Sequence, residues 1–587
     1  MSIFLIMRFK IPAIFICIIL YLSSLGCEEN EPLPDQVPPE LSLVGFTDST
    51  ILPVEGIVTI TADANDNTGI SKIEFYIDNS LVFTDNNEPY EYEWDTAEHS
   101  NCALHKIKVI AYDNNLNFTG IEHYVFIVNL NLSEINVSCW YTSGINEPKL
   151  ERKSDKYFGT SSCSSPSALE VNISTNEIYQ EIEGFGAALT NSSAWLIDNS
   201  TRREEIIDKL FSPDSGIGIN YIRLAMGSSD FVQGEHYSYA ETPNDMDLSE
   251  FSIERDREHI IPVLQDILAI NPDIKIMGSP WSPPGWMKTS GQFVCGSHWD
   301  SRLKTEMYSV YADYFIRFIQ EYAIEGIQIH AITIQNEPLY CPWDYPGLYM
   351  PGDQQRDFIK VLGPKLAENG IDTEIVIFDH NWDDSEQTGA FDYAEVIYDD
   401  PIALSYIAGT GFHGYGNGEA SMQELVYYLD PTKAIYFTER TNFTGWTNWD
   451  QVLSHIAKYY FIDVIRYWSK NVLLWNLALD TENGPYNGGC PNCTGVVTVE
   501  DDYFEKEIDY YIIGHFSKFV QQGANRIYSN TFEGELETVA FQNPDGSLVV
   551  VTLNPGWDTV TYKINWNNMY INHSLTPQSM ATFVWEP

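Results

Sequence analysis

Two glutamates, Glu337 in AITIQNEPLY and Glu439 in IYFTE, each close a run of β-favouring apolar residues. Carboxyl groups left at strand ends can divide a reaction between them. One protonates a departing oxygen, and the other attacks carbon or activates water. Taken alone, each glutamate has an ordinary structural explanation. Asn336-Glu337-Pro338 can be a strand stopping at a polar turn, and Glu439 can be a carboxylate opening the helix after its strand. Their equivalent positions, 102 residues apart, are what point to chemistry. Pro338 is expected to end its strand and leave Asn336 and Glu337 at a rim, because proline cannot continue the ladder.

Eight apolar runs set the frame for that pair: residues 184–189, 221–226, 274–280, 331–338, 374–380, 406–415, 435–439 and 472–479. Stretches of helical period lie between them, such as REHIIPVLQDILAI and SVYADYFIRFIQEYAI. Eight strands alternating with helices give an α/β chain folded as a (β/α)8 TIM barrel. An open doubly wound sheet is the alternative, but no Gly-rich phosphate loop opens a helix. Barrel enzymes work at the C-terminal strand ends. Those ends carry Asp230, Trp281, Asn336, Glu337, His413, Tyr415, Glu439 and Trp475. Strands four and seven are three βα units apart, so the glutamates face each other across the mouth. Two carboxyl groups over a cleft lined by Trp and Tyr suit glycosidic bond cleavage. A gap of about 5–5.5 Å would give retention of configuration and a wider one inversion. His413 has no second histidine at ligand spacing, so it reads as a hydrogen-bonding group. No metal or organic cofactor is implied.

The rest of the chain is mostly β. Residues 41–130 alternate apolar and polar between Asn/Asp/Gly turns, an immunoglobulin-like sandwich expected to act as a spacer. Residues 131–182 and 523–587 are β-rich on either side of the barrel at 183–522, so both flanks are expected to build one side sandwich. Residues 1–26 carry Arg8 and Lys10, an apolar run from Ile11 to Leu22 and small residues before Cys27. That is an export signal rather than a membrane span. It resembles a lipoprotein signal, with Cys27 acylated and residues 27–40 as a tether. The expected location is the bacterial outer membrane, lipid-anchored and surface-exposed, with a periplasmic or secreted location as the alternative. Seven further cysteines remain, Cys102, Cys139, Cys163, Cys295, Cys341, Cys490 and Cys493, with no pairing fixed by the sequence. The single C-x-x-C at Cys490 and Cys493 reads as a local disulfide clip, not a zinc site. A net charge of −51 repels phosphate backbones and excludes nucleic acid as a partner. A monomer is expected.

Eight motifs in order then carry a resemblance: IEGFGAALTNSSAW, IRLAMGSSDF, GSPWSPPGWMKTSG, ITIQNEP, GFHGY, YFTE, LLWNLAL and YYIIGHFSKFVQQGANRI. The chain resembles glycoside hydrolase family 30, which includes glucosylceramidases and endo-β-1,6-glucanases. The resemblance implies a retaining mechanism with Glu337 as acid/base and Glu439 as nucleophile. By the same match Asn336 would hold the sugar's 2-hydroxyl, while Tyr415 and Arg223 would orient the nucleophile and His413 support the pair. Asp230, Trp281 and Trp475 would line the subsite of the sugar being cleaved. The family's strand-six motif often reads His-Trp-Tyr and is His413-Gly414-Tyr415 here, so the missing ring must come from elsewhere. NGGCPNCTGVVTV and FDHNWD resemble the β-1,6-glucanase branch. The expected partner is a β-glucan, with glucosylceramidase or another exo-β-glycosidase activity as the alternative. A non-catalytic glycan-binding surface lipoprotein is the alternative of another class.

Overall fold

The computed structural model describes residues 36–587, apart from 46–52, 55, 97–102, 128–131, 146–147, 160–168, 383–388, 417 and 446–447. The signal-like segment, Cys27, Cys102 and Cys163 lie outside the described residues. The chain divides into two units after Asn129.

In the first unit, alternation along each strand buries one face. Glu40–Leu43, Ile57–Asn65 and Tyr90–Asp95 form one sheet, and five strands including Ile70–Ile77 and Ala103–Asp113 form a second. Ile60, Phe75, Trp94, Ile107 and Val109 make its core.

The second unit holds a barrel and a β-sandwich. Leu132–Ser143, Glu151–Gly159 and Leu169–Glu181 come from before the barrel, and six strands from Asn525–Ser529 to Ser579–Trp585 come from after it. The C-terminal strand pairs antiparallel with Leu132–Ser143, placing Phe583 opposite Cys139. The sandwich is therefore one structure built from both flanks.

The barrel strands are β1 (Gly184–Ala188), β2 (Tyr221–Ala225), β3 (Lys275–Ser279), β4 (Ala331–Thr333), β5 (Glu374–Asn381), β6 (Ile407–His413), β7 (Ala434–Glu439) and β8 (Ser469–Leu474). All neighbours are parallel, and β8 closes on β1. Such strands are covered on both faces, which is why they read as continuous apolar runs. Inward residues repeat every second position, so the barrel fills in layers. The lower layer is apolar: Tyr221, Met277, Ala331, Val376, Tyr436 and Leu473 pack as one cluster. Two residues further along β2, β3, β4 and β7 come Arg223, Ser279, Thr333 and Thr438, all buried and polar. The apolar plug thus carries a polar floor.

Two local departures shape what sits on that floor. First, β4 ends at Thr333, five residues before Pro338, so the proline does not terminate the ladder as expected. The strand breaks off because Asn336 and Glu337 give their backbone N–H groups to Pro280 and Asp379 carbonyls instead (2.8 and 3.0 Å). Glu337 itself has φ +46°, a left-handed turn that re-aims its side chain. Second, β5 carries an irregularity against β6 at Phe378–His380, where Phe378 and Asp379 have φ of +67° and +63°. One extra residue reverses the inward–outward alternation. Asp379 therefore points into the barrel three residues after Val376.

Candidate active site

Arg223 organises the floor. Its guanidinium is fully buried, donates to Glu439 through Nη1, and donates through Nη2 to Ser279 Oγ (3.0 Å), Asn336 Oδ1 (2.9 Å) and Asp379 Oδ2 (2.8 Å). It also lies 5.0 Å from the Trp281 ring centroid, a cation over an aromatic face. Asp379 is the second hub. It accepts from Arg223, Ser279 Oγ (2.8 Å) and Thr438 Oγ1 (2.6 Å), and its Oδ1 lies 3.1 Å from His413 Nε2. Burial disfavours the Asp379 carboxylate, but the charges of Arg223 and His413 outweigh it and hold the group below the usual range.

His413 bridges that hub to the two carboxyls at the rim. Its Nδ1 lies 3.3 Å from Glu337 Oε1 and 3.8 Å from Glu439 Oε1. Burial pushes the imidazole down, while Glu439 and Asp379 more than offset it and push it up to about 9. Burial also pushes the Glu337 carboxyl up, and His380 and His413 beside it win, keeping it low. One ligand-type atom each from Glu337, His413 and Glu439 lie within 4.8 Å of one another. The two carboxyls expected from the sequence therefore meet, and their partners differ: Glu439 takes the guanidinium, Glu337 the His413 imidazole.

The other expected residues gather around them. Trp281 and Trp475 stack at 4.9 Å between centroids with 25° between planes. Asp230 is buried, and burial together with Glu439's charge pushes its carboxyl well up. Burial and Glu439 likewise raise the Tyr415 hydroxyl well above its ordinary value. A cleft of about 620 Å³ opens over Asp230, Glu337, Tyr415, Glu439 and Trp475. The ring absent at Gly414 has no room. A Cβ there would come 2.7 Å from the Tyr460 ring, which stacks on Trp382.

Residues not singled out from the sequence also build the site: Asp379 as the buried hub beneath the cleft, His380, which lines it beside Glu337, and Arg440 behind Tyr415. The Arg440 guanidinium packs over the rings of Tyr460 and Tyr415 (4.6 and 5.2 Å). Asp379 left one signal, a carboxylate inside the apolar run EIVIFDH. Its inward aim depends on the irregularity in β5, which no pattern announced. Asp379→Ala is expected to lower stability by about 3–5 kcal/mol, because it removes one of the two buried counter-charges from Arg223 and from His413 together. Urea midpoints at pH 7 check this, and a loss under about 1 kcal/mol would remove Asp379 as the hub.

A (β/α)8 barrel whose C-terminal rim holds two close carboxyls over stacked tryptophans defines the class of barrel glycosidases. Residues 182–520 match the glycosyl hydrolase family 30 TIM-barrel domain, residues 523–583 the family's beta sandwich domain, and residues 39–109 a bacterial Ig domain. The chain belongs to glycosyl hydrolase family 30 and is a glycoside hydrolase. It is 31% identical over 415 residues to the endo-1,6-beta-D-glucanase of Neurospora crassa, covering 68% of this chain and 83% of that one. It is 30% identical over 430 residues to the lysosomal acid glucosylceramidase of Mus musculus, covering 69% and 81%. Among solved structures, an endo-beta1,6-glucanase superposes with a TM-score of 0.71 at 31% identity, covering 77% of this chain and all of that one. Among the described residues no helix is long and apolar enough to cross a membrane.

Proposed function

We propose that the chain is a retaining endo-β-1,6-glucanase, with Glu337 as acid/base and Glu439 as nucleophile. The observation that carries the mechanism is that one oxygen of each carboxyl lies within 4.8 Å of the other, too close for an intervening water in line with both. Retaining pairs stand about 5–5.5 Å apart, and inverting pairs leave room for a water between them. In the first step a Glu439 oxygen attacks the anomeric carbon, the bond to the leaving oxygen breaks, and Glu337 gives that oxygen its proton. In the second, Glu337 takes a proton from water, the water oxygen attacks the same carbon, and Glu439 leaves as carboxylate. Two inversions restore the β configuration.

The surroundings support this division of roles. Arg223 compensates Glu439, fixing a carboxylate aimed at carbon. His413, whose charged form the surrounding carboxylates favour, stands 3.3 Å from Glu337 as a proton store: it passes Glu337 the proton that the leaving oxygen takes and regains it from Glu337 after the second step. Asn336 spends its carbonyl oxygen on Arg223, which leaves its amide N–H groups for the sugar's 2-hydroxyl. Trp475, backed by Trp281, lines the cleft for the cleaved sugar, and Asp230 places a carboxyl beside it.

The β-1,6 linkage is supported by the glucanase relatives and by the Cys490–Cys493 disulfide, whose loop lines the cleft. Export, an acyl chain on Cys27 and a single-chain enzyme belong to the same reading. Product analysis tests it. Purified protein on β-1,6-glucan should release short oligosaccharides early, with the β-anomer first by NMR. An α-anomer first would overturn retention. Release of glucose alone, or action only on glucosylceramide, would overturn the endo-glucanase assignment and leave the pair standing.

A further inference from the structure

The cleft continues past Glu337 onto the loop that follows β4. Tyr340 donates its backbone N–H to the Glu337 carbonyl (2.9 Å), and Trp343 lies three residues further on. Both rings line the cleft, yet Trp343 is 74% exposed and Tyr340 49% exposed. A Trp ring so open over a polar cleft has no packing role that its exposure supports.

That loop is held from both sides. Cys341 is bonded to Cys295 on the loop after β3, and Val294 pairs with Pro346. The buried Lys288 ammonium donates to the carbonyls of Gly347 (2.6 Å) and Phe293 (2.8 Å) and to Ser282 Oγ (3.1 Å). From the other side Gly488, at φ +79°, packs against the Asp344 backbone where no Cβ would fit. Trp343 is thus presented by a fixed frame, so little ordering entropy is lost when it is covered.

A second observation points to the same ligand. His380 is 97% buried at the cleft, and neither ring nitrogen has a hydrogen-bond partner among the described residues. Its Nδ1 stands 3.7 Å from Glu337 Oε1, beyond hydrogen-bond distance. A buried ring whose nitrogens make no hydrogen bond costs stability unless a ligand completes it.

We infer that Trp343 and His380 form a sugar-binding subsite on the leaving-group side of Glu337. The glucosyl unit to be expelled stacks on the Trp343 ring and hydrogen-bonds His380. The inference rests on Glu337 being the acid, since the acid marks the side from which the leaving oxygen departs. It gives the endo action a physical cause: sugar is gripped on both sides of the broken bond.

The test uses the glucooligosaccharide that the wild type cleaves best, beside an aryl β-glucoside whose leaving group places no sugar in the subsite. Trp343→Ala is expected to lower kcat/KM on the oligosaccharide about tenfold, and His380→Ala about tenfold more in the double variant. In Trp343→Ala the aryl glucoside should lose less than about a third of that factor. Trp343→Phe should recover most of the loss, since it keeps a ring face. Equal losses on both substrates, or no loss on the oligosaccharide, would overturn the subsite. The linkage is judged separately, by which oligosaccharide the wild type cleaves. A wild type that hydrolyses only the aryl glucoside would overturn both readings.

Discussion

Glu439→Gln is expected to lower turnover by about 10⁴-fold or more on every substrate, aryl glucosides included. The amide has nearly the shape of the carboxylate but cannot form the glycosyl ester, so no leaving group rescues it. The fold should survive, because Arg223 keeps Asp379 as its counter-charge and Ser279 and Asn336 as acceptors. Circular dichroism and the thermal midpoint check that point beside the rate. Glu439→Ala adds a sharper version. It opens space at the nucleophile position, and azide should then restore cleavage with formation of an α-glycosyl azide. A purified Glu439→Gln protein that retains more than a few per cent of activity would sink the nucleophile assignment.

The loss in Glu337→Ala should depend on what is leaving. Proton transfer to the departing oxygen contributes roughly 10²–10⁴-fold, and a glucan needs all of it. A dinitrophenyl glucoside expels dinitrophenolate, a stable anion that needs little protonation. The expected pattern is a loss of about 10³-fold on glucan beside a much smaller loss in the glycosylation of enzyme by the aryl substrate. Equal losses would count against Glu337 as the acid.

A pH dependence accompanies this. His413 is raised above its ordinary value, so its charged form is the one the fold favours. Its contribution to stability is complete below about pH 6.5 and disappears as pH rises through about 9. Cleavage of glucan should fall over the same range as the stored proton is lost. His413→Gln should abolish that alkaline limb, and aryl glucoside cleavage should show it weakly.

Most of the architecture was legible before any coordinates. Parallel strands buried on both faces must be apolar throughout, so all eight barrel strands stood out as runs such as IKIMGSP and IYFTE. The β-rich flanks, interrupted by the barrel, implied a sandwich made from both ends. The two glutamates proposed as the catalytic pair were visible because a charged residue at the end of an apolar run is conspicuous, and their spacing put them on opposite strands.

What the sequence by itself determined, then, is the barrel, the layers around it and the identity of the carboxyl pair. Tertiary structure alone decided how the pair differs. Alternation would turn Asp379 away from the axis, and only the left-handed backbone at Phe378 and Asp379 turns it inward. Once there, it orients Arg223 toward Glu439 and fixes His413 beside Glu337. Pro338 drew attention as a strand terminator, yet β4 had already ended and the left-handed turn at Glu337 sets its direction. Burial, charge and distance assign chemical roles to groups that are identical as letters. Those quantities depend on neighbours far along the chain, and a linear pattern does not contain them.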